Sequence, residues 1–224
     1  MSMVLPSNQR VKRAMVDYAR RHKPPIKVGP GLNAGNDKWG PAARTLAWRI
    51  SHRTKKIKTT TRKTAELCAF LGVFSLAEKV ANAALREVGV KEQPPNSNYG
   101  PRVSQYQAVT GAYHQPWCAS FASWCYRTAG YKGKLAPVPA WVPSWTLAIR
   151  GGLGWKQVPF ANARAGDLVT LWGSQHIEVV IRREGDYLRC VGGNTSPKGQ
   201  NANGGMVANT RRHRSEVVVI GRPK

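Results

Sequence analysis

The feature that most constrains this chain is a change of hydrophobic period near Pro137. Upstream, apolar residues recur at helical spacing. Downstream, Asp167–Trp172, His176–Arg182, Tyr187–Val191 and Glu216–Ile220 are short, mostly Val/Ile/Leu-rich and bounded by glycine-containing stretches. These four segments are predicted antiparallel strands, and helices followed by strands predict an α+β domain. At 42% hydrophobic residues the chain can bury a core of ordinary size. It lacks a run of about 18 apolar residues, which excludes a spanning helix of the usual kind.

The helical part begins with a capping-box signature, Ser75-Leu-Ala-Glu78, in which the serine caps and the glutamate three residues on reciprocates. It predicts a helix to about Val88. A polar loop follows over 93–101, then a short helix over Arg102–Val109. The domain boundary is placed just before Ser75, dividing the chain into 1–74 and 75–224.

Charge separates the same two parts. Lys and Arg outnumber Asp and Glu by 35 to 11, a formal charge of +24. Residues 1–74 carry 16 of those cations against Asp17, Asp37 and Glu66, so their net charge is +13. The longer remainder carries only +11. Helical patterning over Asn8–His22, Pro41–His52 and Thr61–Phe70 flanks a breaker-rich stretch over 23–36, and the first part reads as a small basic helical module. So basic a chain associates with polyanions, be they nucleic acid, anionic membrane or anionic wall polymers. Arg10, Lys12, Arg13 and Asp17 interrupt the N-terminus before an apolar block can form, which predicts a protein without a secretory leader, made in a cytoplasm.

Four cysteines, Cys68, Cys118, Cys125 and Cys190, form no CxxC pair, so neither a cysteine zinc site nor a disulfide framework is expected. Cys118 stands apart. Pro116-Trp-Cys-Ala-Ser-Phe-Ala-Ser-Trp-Cys-Tyr-Arg127 puts it at the first turn of a predicted helix, where unpaired N–H groups and the macrodipole favour a thiolate, the reactive form of the side chain. The other three have apolar settings that suit small buried hydrophobes.

A cysteine nucleophile needs a base. His22, His52 and His213 neighbour Arg or Lys and read as basic surface, and His114 belongs to a loop that can line a cleft. His176 opens the apolar strand Ile177–Ile181, and a strand holds an imidazole rigidly. A three-residue turn Arg183-Glu184-Gly185 pairs Arg182 with Asp186 and sets His176 opposite Gly192. Asn194 then falls diagonal to His176 on the same face, about 7–8 Å away, where it can orient the imidazole; a two-residue turn would put it on the wrong face. Glu178 shares the face of His176 and is the weaker third candidate.

Pro116 to Gly130, Ala165-Gly-Asp-Leu-Val169, His176-Ile-Glu-Val-Val180 and Gly193-Asn-Thr-Ser196 together resemble a CHAP domain, the cysteine, histidine-dependent amidohydrolase/peptidase found in many bacteriophage endolysins. Glu87 to Glu92 and Asn96 to Asn98 are similar to the start of such domains, so the resemblance covers about 75–224. It implies a papain-like α+β fold, N-terminal helices packed on an antiparallel sheet, with Cys118 as nucleophile, His176 as base and Asn194 as the residue that orients it. Many relatives carry a glutamate two residues before that asparagine; here the position is Gly192. Some bind calcium through an acidic loop before the cysteine, but 96–109 holds no carboxylate, so no metal and no cofactor are expected.

The resemblance implies a peptidoglycan hydrolase, amidase or endopeptidase, that cleaves by acyl transfer after release through a separately encoded, holin-type pore. Its expected partners are peptidoglycan and anionic wall polymers, without specific nucleic acid or membrane insertion, and it is expected to be monomeric. Trp117, Trp141, Trp145 and Trp155 are candidates to line a substrate groove, Trp117 and Trp141 foremost. For 1–74, wall targeting competes with a merely solvated basic face. The rival from another class is a basic nucleic-acid-binding protein without hydrolase activity, supported by the charge and by Lys55-Lys-Ile-Lys58; it leaves the Cys/His/Asn pattern unexplained.

Overall fold

The computed structural model describes residues 3–21, 43, 46, 47, 50, 67, 68, 71–197 and 203–224. The chain divides into two compact units, Leu5–Ser75 and Leu76–Lys224 with Met1–Val4. In the first, helix α1 (Asn8–Arg21) presents Val11, Met15 and Ala19, each four residues on, as one buried stripe. They share a core with Ala43, Leu46, Ala47, Ile50, Leu67 and Cys68. The described positions within 41–52 and 61–70 are helical; the rest of those two expected helices, and the loop over 23–36, lie outside the described residues.

The second unit begins with α2 (Leu76–Arg86), which starts directly after Ser75 and buries Val80, Ala81, Ala83 and Ala84. Helix α3 (Pro101–Ala108) opens on a proline, whose missing N–H is harmless in the first turn. Helix α4 (Cys118–Thr128) buries Phe121, Ala122, Cys125 and Tyr126. Helix α5 (Val142–Arg150) was not foreseen from the sequence; it starts at a Val-Pro pair and buries Trp145, Ala148 and Ile149.

Six strands follow: β1 (Trp155–Gln157), β2 (Leu168–Leu171), β3 (His176–Glu184), β4 (Tyr187–Thr195), β5 (Met206–His213) and β6 (Val217–Pro223). They form one sheet in the order β1-β6-β2-β3-β4-β5, with every neighbouring pair antiparallel. The unit is therefore a mixed helix plus antiparallel-sheet fold. One sheet face packs on the helices through Leu168, Ile177, Val179, Val191, Val207 and Val219. The other carries a smaller cluster of Val169, Leu171, Val180, Leu188, Cys190 and Ile220. Strand β5 escaped the sequence pattern because Asn209, Arg211 and His213 dilute its apolar residues.

The β3–β4 hairpin corrects the expected register. Glu184 pairs with Tyr187, so the turn is the two-residue Gly185-Asp186, with Gly185 at φ 62°. A bulge between Val180 and Arg182 then shifts the register by one, giving Val180↔Cys190 and Val179↔Val191. The next step puts Glu178, not His176, opposite Gly192. A Cβ on Gly192 would lie 2.7 Å from Glu178 Cγ, so that glycine leaves the glutamate its room.

Gly193 makes the matching contact on the helix side. A Cβ there would sit 2.6 Å from Phe121 Cβ and from Trp117 Cζ3, so β4 approaches α4 as closely as backbone permits. We expect Gly193→Ala to overpack this contact at a cost of about 1–3 kcal/mol, measured as a lower melting temperature; an unchanged melting temperature would show that the two elements do not meet there.

Candidate active site

The first helical hydrogen bond of α4 runs from Phe121 N–H to the Trp117 carbonyl, 2.8 Å, so the N–H groups of Cys118, Ala119 and Ser120 have no partner within the helix. The capping residue Trp117 supplies no side-chain acceptor. Cys118 thus sits at a helix N-terminus, as its sequence position predicts, and its side chain is a free thiol with a little exposed surface, 5% for the residue.

His176 is fully buried at the start of β3. A left-handed turn delivers it: Trp172, Gly173 and Ser174 have φ of 50°, 65° and 72° in succession, a backbone that costs non-glycine residues about 1–2 kcal/mol each. The turn is held by Gln175 N–H on the Leu171 carbonyl, 3.0 Å, and by the Ser174 and Thr146 hydroxyls at 2.7 Å. Nε2 of His176 lies 3.2 Å from Glu178 Oε1. A carboxylate only accepts, so Nε2 carries the hydrogen. Nδ1, buried and without a hydrogen-bond partner among the described residues, is left for Cys118.

Glu178 is the centre of a closed polar network. It accepts from Thr210 Oγ1 at 2.6 Å, from Arg212 Nε at 3.0 Å and from Arg212 Nη2 at 2.5 Å. Neither Glu178 nor Arg212 is more than 1% exposed. Trp172 closes the outer side: its ring stacks on His176 at 5.6 Å, its Nε1 donates to Glu216 Oε1 at 3.1 Å, and the Arg212 guanidinium lies over it at 4.6 Å.

Burial pulls the His176 imidazole down, but the Cys118 sulfur and the Glu178 carboxylate outweigh it and hold the ring protonated up to about 9. For Glu178 burial raises the pKa, and the hydrogen bonds from His176 and Arg212 more than reverse this, lowering it to about 2. The arrangement stabilises an imidazolium between a sulfur and a carboxylate.

Asn194 does not join it. Near the end of β4 its φ is 51°, and its side chain donates to Asn98 Oδ1 at 3.4 Å and Asn203 Oδ1 at 3.2 Å and accepts from Gly205 N–H at 3.3 Å. The expected asparagine partner of His176 is thus replaced by Glu178. The backbone supplies the reason: with φ at 51° Asn194 bonds to Asn98, Asn203 and Gly205, while Gly192 leaves Glu178 room beside the ring.

Trp117 is also corrected. It is wholly buried, donates from Nε1 to Glu92 Oε1 at 2.8 Å and stacks on Tyr106, so it belongs to the core and not to a groove wall. Trp145 and Trp155 are likewise buried, bonded to the Pro139 and Lys134 carbonyls. Trp141 alone of the four is open, 55% exposed at the N-cap of α5. His114 is exposed and stacks on Tyr99 at 4.9 Å. Thr210, Arg212 and Trp172 escaped the sequence reading: Arg212 lies in the run Arg211-Arg212-His213-Arg214, which reads as solvated basic surface, and no local pattern separates it from its neighbours.

No family model matches the chain, and no curated protein does. Among solved structures it is similar to Ly7917, with a TM-score of 0.39 at 15% identity over 66% of this chain and 62% of that one. It is also similar to the peptidoglycan hydrolase RipB from Mycobacterium tuberculosis, with a TM-score of 0.41 at 16% identity over 95% of this chain and 82% of that one. The chain thus spans under two thirds of Ly7917, and neither likeness bears on what it acts upon.

The network has a pH signature. The raised His176 pKa contributes stability that is complete below the ordinary 6.5 and lost as pH rises through about 9. The lowered Glu178 pKa contributes stability that is complete above 4.5 and lost as pH falls through about 2. Melting temperature is expected to fall along both flanks. Glu178→Gln, which leaves Arg212 buried without its counter-charge, is expected to cost about 3–5 kcal/mol and to move the alkaline flank toward neutrality. An alkaline flank unmoved by that variant in a pH series of melting curves would refute the coupling.

Proposed function

We propose that this chain is a cysteine peptidoglycan hydrolase of CHAP type, papain-like in fold, with Cys118 as nucleophile, His176 as acid and base, and Glu178 as the residue that positions His176. The observation that carries the reading is the buried His176 imidazole, bonded through Nε2 to the Glu178 carboxylate, held protonated by that carboxylate and the Cys118 sulfur, and leaving Nδ1 without a hydrogen-bond partner among the described residues. A thiolate–imidazolium pair at a helix N-terminus is equipped for acyl transfer.

In this mechanism the Cys118 thiolate adds to an amide carbonyl, and its oxygen takes the developing negative charge. The unpaired N–H groups of the first turn of α4, that of Cys118 foremost, stabilise that oxyanion. His176 gives its Nδ1 proton to the leaving nitrogen as the C–N bond breaks, and a thioester remains on Cys118. Neutral His176 then takes a proton from water, the hydroxide adds to the thioester, and loss of the thiolate releases a carboxylic acid and restores the ion pair. Glu178 stays ionised throughout and fixes which nitrogen carries the hydrogen, much as the buried carboxylate does in a serine triad.

The substrate class rests on the resemblance of the Cys118, His176 and Asn194 segments to CHAP domains and on the charge of +24, which suits an anionic wall. Trp141 is the exposed aromatic suited to contact glycan or stem peptide.

Purified protein is expected to clear a suspension of susceptible cell walls, and mass spectrometry of the digest to show new amine and carboxyl ends that identify the bond. Cys118→Ala is expected to lower the rate more than about 10³-fold while the variant still unfolds in a single cooperative transition. Equal clearing by that variant would defeat the reading, and tight, salt-sensitive DNA binding without any wall turnover would favour the nucleic-acid alternative.

A further inference from the structure

Three arginines stand side by side across the sheet. Arg182 on β3 pairs directly with Arg189 on β4, and Arg189 pairs directly with Arg211 on β5. Direct partners in an antiparallel ladder share a face, with strands about 4.8 Å apart. The three side chains are 62%, 36% and 51% exposed. Two residues after Arg189, on the same face, Val191 packs on the helices, so the row continues the helix-bearing face beyond its buried part. It begins six residues along β3 from His176, on the order of 20 Å away.

Like charges set directly opposite one another destabilise a sheet. Here the opposing charge is small: among the described residues the ion pairs of all three arginines run to Glu184, whose oxygens lie 2.6 Å from Arg182, 3.4 Å from Arg189 and 3.8 Å from Arg211. One carboxylate against three guanidinium groups leaves a local charge of +2. Exposed ion pairs of this kind contribute little to stability, so folding gives no reason for the row.

We infer that the Arg182–Arg189–Arg211 row is a binding surface for a phosphodiester polymer of the cell wall, of the poly(glycerol phosphate) kind. Guanidinium forks match phosphate oxygens two at a time, and a row of them across three strands meets a flexible chain of repeating phosphates at successive points. The neighbouring row decides between such a polymer and a nucleic acid. Proteins that hold single strands offer aromatic faces for the bases. The ring beside these arginines, Tyr187, is already covered by the Arg211 guanidinium at 3.6 Å and packed by His213 at 5.0 Å. Among the described residues the row offers cations and no open stacking platform, which fits a polymer without bases. The choice of a wall polymer rests on the proposed wall hydrolase function; the arginine row does not.

The test is made on the full chain carrying Cys118→Ala, so that binding is read without hydrolysis. Its affinity for purified poly(glycerol phosphate) is measured by calorimetry across a salt series, beside oligo-deoxythymidine of equal charge. Combining Arg182→Gln, Arg189→Gln and Arg211→Gln is expected to weaken polymer binding on the order of tenfold or more and to lower the steepness of its salt dependence by about 2. Relief of the like-charge row should leave the melting temperature equal or higher. With Cys118 restored, the triple variant should hydrolyse a small soluble peptidoglycan fragment at the wild-type rate. Glu184→Gln keeps every arginine, removes the competing carboxylate and should tighten binding, which decides the matter even if the triple variant folds poorly. Undiminished polymer binding by the triple variant, or no tightening by Glu184→Gln, overturns the assignment. So does oligo-deoxythymidine binding as tightly as the polymer. A Cys118-bearing protein that binds the polymer yet cleaves nothing would instead defeat the hydrolase reading alone.

Discussion

The buried carboxylate of Glu178 is the constraint around which the unit of Leu76–Lys224 is arranged. A charge wholly removed from water is tolerated only when its neighbours replace the lost hydration. Glu178 takes hydrogen bonds from His176, Thr210 and Arg212, which come from two strands that are not adjacent. Strand β5 must therefore hold its register against β4, and β4 against β3, or the guanidinium misses the carboxylate. Gly192 leaves the glutamate its space, and the bulge after Val180 supplies the single-residue shift that places the two opposite each other.

From that point order spreads to His176 and Cys118. With Nε2 donating to Glu178, Nδ1 is the nitrogen left without a partner among the described residues, so the tautomer and the ring orientation are set together. Trp172 lies over the imidazole and is itself fixed by Glu216 and Arg212. On the other side Gly193 lets β4 lie against Trp117 and Phe121, which positions the first turn of α4 and with it Cys118. The site is built at the meeting of one helix end and one strand start, both rigid, and the strained turn before His176 is paid for by the packing on either side of it.

The two arginine settings on β5 show how neighbours in sequence serve different ends. Arg212 is enclosed and balances a buried charge, while Arg211, one residue earlier, faces solvent beside two other cations. Alternation along a strand is enough to separate them, because successive side chains point to opposite faces.

How much of this was legible beforehand follows from the range of the interactions. The helix that presents Cys118, the strand that opens on His176, the α+β class and the start of α2 after Ser75 are local matters of period, capping and chain order, and the sequence by itself determined them. Cys118 could be told from Cys68, Cys125 and Cys190 by helix position alone. The partner of His176 could not be read, because the left-handed backbone at Asn194 and the enclosure of Glu178 by residues of β5 leave no mark in the pattern of apolar residues. The sequence pointed to Asn194 on a parity argument; the tertiary structure decided for Glu178, since only the completed sheet brings Arg212 and Thr210 to enclose it. The same holds for Trp117, whose place beside Cys118 suggested a groove and whose burial against Glu92 and Tyr106 depends on the packing of segments distant in the chain.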